Sequence, residues 1–149
     1  MLPGEEIVDL RASGTGVLTD SVDIVNARLA FSGGCVANIT ASRISREPLR
    51  KIRFFQENLY VSVDLRGRKV EAFERSGEFA SGDQVADPIS AIQQLDLHVD
   101  EGEPLRKEIE SFLRTVREGG EPQVTGREGL RALQVAETIL ESIEEERSG

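Results

Sequence analysis

The chain has 149 residues, 30% of them charged and 38% hydrophobic, and a formal net charge of −9 at pH 7. That length suits one domain with one core and leaves no room for a cofactor domain beside a substrate domain. The acidic balance argues against a nucleic-acid surface, and no apolar run approaches the roughly 20 residues of a membrane span.

The first 75 residues read mostly as strands. A short one is predicted over 7–12, ended by Ser13-Gly14-Thr15-Gly16. Residues 22–31 and 35–44 alternate on either side of Ser32-Gly33-Gly34, the pattern of a β-hairpin. Residues 52–56 and 59–65 form a second pair, broken at Glu57-Asn58, and Arg66-Gly67 turns into a strand over 69–74. Residues 76–93 read as a loop, and 95–99 as a short strand.

Two helices close the chain. Pro104 suits a first helical position, where its missing N–H costs nothing, and Gly119-Gly120 stops that helix. Its apolar stripe is Leu105, Ile109, Phe112, Leu113 and Val116. Thr125 followed by Glu128 is a capping box for the second helix. Leu130, Leu133, Ala136, Leu140 and Ile143 are its expected inner face.

Period-2 alternation assigns the strand faces. Val25, Ala27, Leu29 and Phe31 share one side of the first hairpin, as do Cys35, Ala37, Ile39 and Ala41. In the later strand Leu59, Val61, Val63 and Leu65 do the same. The other side carries Asn26, Arg28, Asn38, Thr40 and Ser42, and then Tyr60, Ser62 and Asp64. The expected fold class is α+β: an open, predominantly antiparallel β-sheet with helices packed on one face. The polar face would be plain solvent surface or, better suited to its Asn, Thr, Ser and Tyr content, the interface of a homo-oligomer, a dimer or larger.

The chemistry is sparse. Neither glycine turn has the G-x-G-x-x-G spacing before a helix, and there is no Walker motif. With one histidine and one cysteine there is no His-based metal cluster and no evident nucleophile–base pair. Cys35 permits no intrachain disulfide and reads as a small buried hydrophobe. The N-terminus lacks the basic and apolar regions of a signal peptide, so the cytoplasm is expected. His98, among Asp96, Asp100 and Glu101, is a surface histidine or a substrate contact. Arg43, Arg46, Arg50, Lys51 and Arg53 crowd one segment. Guanidinium forks there would grip a phosphate or carboxylate, or the charges simply keep a connection solvated. The acidity lies in the second half: residues 1–75 hold eleven basic and ten acidic side chains, residues 76–149 seven and seventeen.

The hairpin from Asp23 to Arg43, with Arg28-Leu29, Phe31, Gly33-Gly34, Asn38 and Ser42-Arg43, resembles a signature of the Gfo/Idh/MocA oxidoreductases. Glu103-Pro104-Leu105, Phe112-Leu113, Pro122, Val124-Thr125-Gly126 and Gly129-Leu130 resemble the family's C-terminal stretch. The likeness runs in order along nearly the whole chain. It implies that residues 1–149 are a single C-terminal-type substrate-binding and oligomerisation domain, using its open sheet face for dimers or tetramers. Complete members add an N-terminal Rossmann domain with a glycine fingerprint, a Glu-Lys-Pro-type segment with a catalytic lysine, and an Asp-x-x-x-His-type segment. None of these motifs occurs in this sequence, so no catalytic or cofactor-binding residue is assigned. NAD or NADP is implied for a complete enzyme, and this chain alone is expected to be inactive. Val17-Leu18-Thr19-Asp20-Ser21-Val22-Asp23-Ile24 and Arg50-Lys51-Ile52-Arg53-Phe54-Phe55-Gln56 are most similar to members acting on nucleotide-linked amino sugars. The alternative is a freestanding ligand-binding or scaffold module that has lost its cofactor domain.

Overall fold

The computed structural model describes residues 5–75, 92–99 and 102–148. It is α+β, as expected, and every strand pairing among the described residues is antiparallel. The strands divide into two sheets and the chain into two compact units. One unit comprises Met1–Arg46 and Pro104–Gly149, the other Glu47–Glu103.

In the first unit, β1 (Ile7–Thr15), β2 (Ile24–Phe31) and β3 (Val36–Ser42) form a sheet in that order. The register pairs Val25 with Ala41, Ala27 with Ile39 and Leu29 with Ala37, so the two apolar rows share one side. The tight turn between these strands needs Gly34, whose φ of +84° disfavours an L side chain. Cys35 is exposed rather than buried, because it leads into an edge strand that is itself largely exposed.

Helices α1 (Pro104–Glu118) and α2 (Gly126–Ser148) complete this unit. The capping box forms: the Thr125 hydroxyl accepts from the Glu128 N–H at 3.2 Å, and the Glu128 carboxylate accepts from the Thr125 N–H at 2.8 Å. The core joins Ala12, Ala27, Leu29 and Phe31 to Ile139 and Ile143 of α2, with Val135 packed alongside. Leu130, Leu133 and Leu140, expected to face inward, remain exposed. The helix carries apolar residues on two stripes, and the sheet takes the Val/Ile one. On α1 no residue is buried, so its whole predicted stripe is open.

Strand β1 continues through the predicted turn at Gly14. A Cβ at that position would lie 2.7 Å from Val22 and 3.0 Å from Ile143. Glycine there lets the strand approach the helix, and helix packing rather than a turn explains the residue. Glu5 ties the corners together. Its carboxylate accepts from Ser32 Oγ at 2.9 Å and from the Gly33 N–H, and its carbonyl accepts from the Arg131 guanidinium.

The second unit holds β4 (Lys51–Phe55), β5 (Leu59–Asp64), β6 (Lys69–Arg75) and β7 (Ile92–Leu95), hydrogen-bonded in that order. Ser62 and Ala72, on the two central strands, are buried. The strand predicted over 95–99 lies earlier: Ile92–Leu95 pairs with β6, and residues 96–99 are irregular. Of the predicted loop over 76–93, residues 76–91 lie outside the described residues.

Candidate functional site

The polar side of the first sheet is built by strict alternation. Arg11, Arg28 and Asn38 stand side by side across β1, β2 and β3, and the next row is Ser13, Asn26 and Thr40. Arg28 Nη1 donates to Asn38 Oδ1 at 3.2 Å, and Thr40 Oγ1 donates to Asn26 Oδ1 at 2.9 Å. Cross-strand pairs of this kind fix the side chains on a pleated surface. All four remain exposed, as does Ser42 at the end of β3.

At the end of this sheet lies a feature that the sequence reading passed over. Asp23 is buried, and one carboxylate oxygen, Oδ2, accepts from the N–H groups of Val17, Leu18 and Thr19 at 2.8, 2.8 and 3.1 Å. The other, Oδ1, accepts from Thr19 Oγ1 at 3.2 Å and from Arg43 Nε. Arg43 Nη2 also donates to Thr19 Oγ1 at 2.5 Å. Three successive N–H groups converging on one anion form a nest, and here the protein's own carboxylate fills it. The Val17 and Leu18 N–H groups, then Arg43, hold the Asp23 carboxyl well below the usual carboxylate range, against the opposing effect of its burial. The result is a turn over residues 16–22 fixed at its base.

The predicted basic segment is divided. Arg43 and Arg46 belong to the first unit, and Arg50, Lys51 and Arg53 to the second. Arg43 is committed to Asp23 and Thr19, whereas Arg46, Arg50, Lys51 and Arg53 are exposed. His98 is exposed in the irregular segment after β7.

In the second unit Tyr60, Ser62 and Asp64 share a face of β5, as predicted. Tyr60 is flanked by Phe55 and Phe73, with ring centroids 5.0 and 6.1 Å away. Ser62 is buried between the rows of longer side chains. Asp64 folds back on its own turn and accepts from the N–H groups of Arg66 and Gly67 at 3.0 and 2.7 Å. The Gly67 N–H is the chief cause of its lowered pKa.

The space beside three of the turn glycines is taken by the protein's own atoms. Gly14 packs against Ile143, the space beside Gly16 is filled by the carbonyls of Thr19 and Ser21, and that beside Gly33 by the Glu5 carboxylate. Among the described residues, no cluster of His, Cys, Asp and Glu is placed to hold a metal ion, and no helix is long and apolar enough to cross a membrane.

Comparison with known proteins gives these observations a setting. Residues 5–148 match the oxidoreductase family's C-terminal alpha/beta domain. The chain is 31% identical over 144 residues to UDP-N-acetylglucosamine 3-dehydrogenase of Acidithiobacillus ferrooxidans, a match covering 97% of this chain and 44% of that enzyme. A solved structure of that enzyme superposes with a TM-score of 0.80 at 30% identity, covering 95% of this chain and 43% of the other. An NAD-binding protein from Listeria innocua shares the fold at a TM-score of 0.65 and 17% identity, with 92% and 43% covered. By its sequence and its fold, the chain belongs to the Gfo/Idh/MocA oxidoreductase family, through that family's C-terminal α/β domain.

Proposed function

We propose that this chain is the C-terminal substrate-binding and oligomerisation domain of a cytoplasmic NAD(P)-dependent dehydrogenase acting on a sugar or nucleotide sugar. The observation that carries the reading is the coverage: nearly the whole chain matches less than half of a UDP-N-acetylglucosamine 3-dehydrogenase. In this reading NAD or NADP belongs to a Rossmann domain in the other part of the enzyme. Gly14, Gly16 and Gly33 are spent on packing and turns, and the domain alone is expected to be inactive. The open apolar stripe of α1 is a surface on which such a domain would rest.

Arg50, Lys51 and His98 of the second unit are the proposed substrate contacts, with the cations taking the phosphates of a nucleotide sugar; Arg46, in the first unit, is proposed as a contact on its charge alone. Arg43 instead fixes the turn over residues 16–22. The polar faces of the two sheets are each proposed for self-association, the first through Asn26, Arg28, Asn38, Thr40 and Ser42 and the second through Tyr60 and Asp64, with Ser62 buried beneath them.

The test is calorimetric titration of the purified chain with UDP-N-acetylglucosamine, beside an assay for reduced nicotinamide. Binding without turnover is expected. Arg50→Ala should weaken binding about tenfold, the equivalent of one charge-assisted hydrogen bond. Turnover by the isolated chain would overturn the assignment of catalysis to a second domain. No binding of any nucleotide sugar would overturn the substrate role.

A further inference from the structure

One face of the second sheet is sorted by residue type. Residues 51, 53 and 55 of β4, 60, 62 and 64 of β5, and 69, 71 and 73 of β6 share it, and the register sets them in rows. The row at one end is aromatic. Phe55, Tyr60 and Phe73 stand side by side across three strands, and Gln94 of β7 continues the row. Adjacent ring centroids are 5.0 and 6.1 Å apart, with the ring planes tilted by 46° and 31°. The next row is Arg53, Ser62 and Glu71, and beyond it lie Lys51, Asp64 and Lys69. All of these residues belong to the second unit.

The charges of this face are unequally committed. Glu71 accepts from Lys69 Nζ at 2.7 Å, and Asp64 accepts from two N–H groups of its own turn. Arg53 forms no ion pair with a described residue, and Lys51 stands across from Asp64 without a bond to it. Both cations are exposed. The rings are also not accounted for by sheet stability. Cross-strand aromatic pairs stabilise through the area they bury, and Phe55 is 76% exposed. A row of rings beside unpaired cations is instead the composition that holds a base and its phosphate.

We propose that this face is a nucleotide platform: the base of the ligand stacks on Phe55 and Tyr60, and its phosphates lie over Arg53 and Lys51. Successive rows on one face of a strand are about 6.7 Å apart. Arg53 is thus one row from the stacked base, the span of a ribose, and Lys51 is one row further, where a second phosphate follows the first. The guanidinium fork of Arg53 matches phosphate oxygens, and Lys51 supplies a point charge. Gln94 ends the aromatic row with an amide, which both donates and accepts and so suits the edge of a base. The formal net charge of −9 disfavours a long polyanionic strand, whereas one nucleotide needs only these two cations. The inference rests on the proposed function and deepens it. It adds Arg53, Phe55 and Tyr60 to the substrate contacts and gives them the nucleotide rather than the sugar.

Tyr60 is the only tyrosine of the chain, which has no tryptophan, so intrinsic fluorescence reports on this position. The test titrates the intact chain with UDP, uridine and pyrophosphate, with a free-tyrosine standard correcting for light absorbed by the base. A base and a second copy would compete for Tyr60, so the lowest protein concentration giving a signal is used. UDP should quench the emission saturably, uridine should do so more weakly, and pyrophosphate should not. Phe55→Ala, at an exposed position, should weaken UDP and uridine alike, about tenfold. Arg53→Ala should weaken UDP about tenfold and leave uridine unchanged. UDP that binds by calorimetry without altering the Tyr60 signal would overturn the inference and leave the substrate role standing. So would a UDP affinity that Phe55→Ala does not change. Quenching by UDP without affinity for UDP-N-acetylglucosamine would keep the platform and remove the substrate reading. Tighter binding of a uridine oligonucleotide than of UDP would overturn the single-nucleotide assignment. If Phe55→Ala does not fold, the contrast between UDP and pyrophosphate in the wild type decides.

Discussion

At the scale of single residues, Asp23 and Arg43 show how a fold uses a buried charge. A carboxylate removed from water must be compensated in full, and Asp23 finds three N–H groups, a hydroxyl and a guanidinium. Its folded pKa lies below its ordinary value of 3.8. The unfolded chain therefore binds the proton more readily. Stability from this group is complete above the unfolded value and is lost as pH falls through that value toward the folded one. Urea midpoints measured from neutral pH downward should drop, beginning about one unit above the unfolded value. Asp23→Asn should be less stable at neutral pH and show a flatter dependence. Arg43→Ala should lower the melting temperature and leave nucleotide-sugar affinity unchanged, the opposite split from Arg50→Ala. The clamp was legible in principle. Residues 23 and 43 extend the apolar rows of the hairpin by one step each, so the alternation places an acid and a base together on the inward side. The nineteen residues between them hide that pairing from any motif read along the chain, because it is formed across a register.

At the scale of elements, what was local was read well. The hairpin about Ser32-Gly33-Gly34, the capping box at Thr125 and the glycine stop after α1 depend on neighbours within a few residues, and all are present. What failed depended on a partner. Strand β7 begins at Ile92 because β6 offers a pairing there, a contact that alternation within 95–99 could not reveal. Leu133 and Ile143 are equally apolar as letters, and only the sheet decides between the stripes they occupy. The difference is measurable. Ile143 is 1% exposed, and Ile143→Ala should cost about 2–5 kcal/mol by chemical denaturation. Gly14→Ala should also destabilise, by about 1–3 kcal/mol, because the added methyl overlaps Val22 and Ile143. Phe112 of α1 is 58% exposed, and Phe112→Ser should change the stability of this chain by no more than about 0.5 kcal/mol.

At the scale of the molecule, the antiparallel α+β class followed from alternation and helix periodicity, but the division into two units did not. Alternation says which face a residue takes and nothing about where one sheet ends and another begins. The division has its own consequence. The core of the first unit joins Ala12, Ala27, Leu29 and Phe31, from near one end of the chain, to Ile139 and Ile143, from near the other. The second unit is one continuous stretch between them. During synthesis, which proceeds from the N-terminus, the strands β1, β2 and β3 emerge long before the helix that covers them. Their apolar side stays uncovered until residue 143 has left the ribosome. The order of translation thus opens an interval in which this chain is most exposed to misassociation, and the interval lasts as long as it takes to make everything between Phe31 and Ile143.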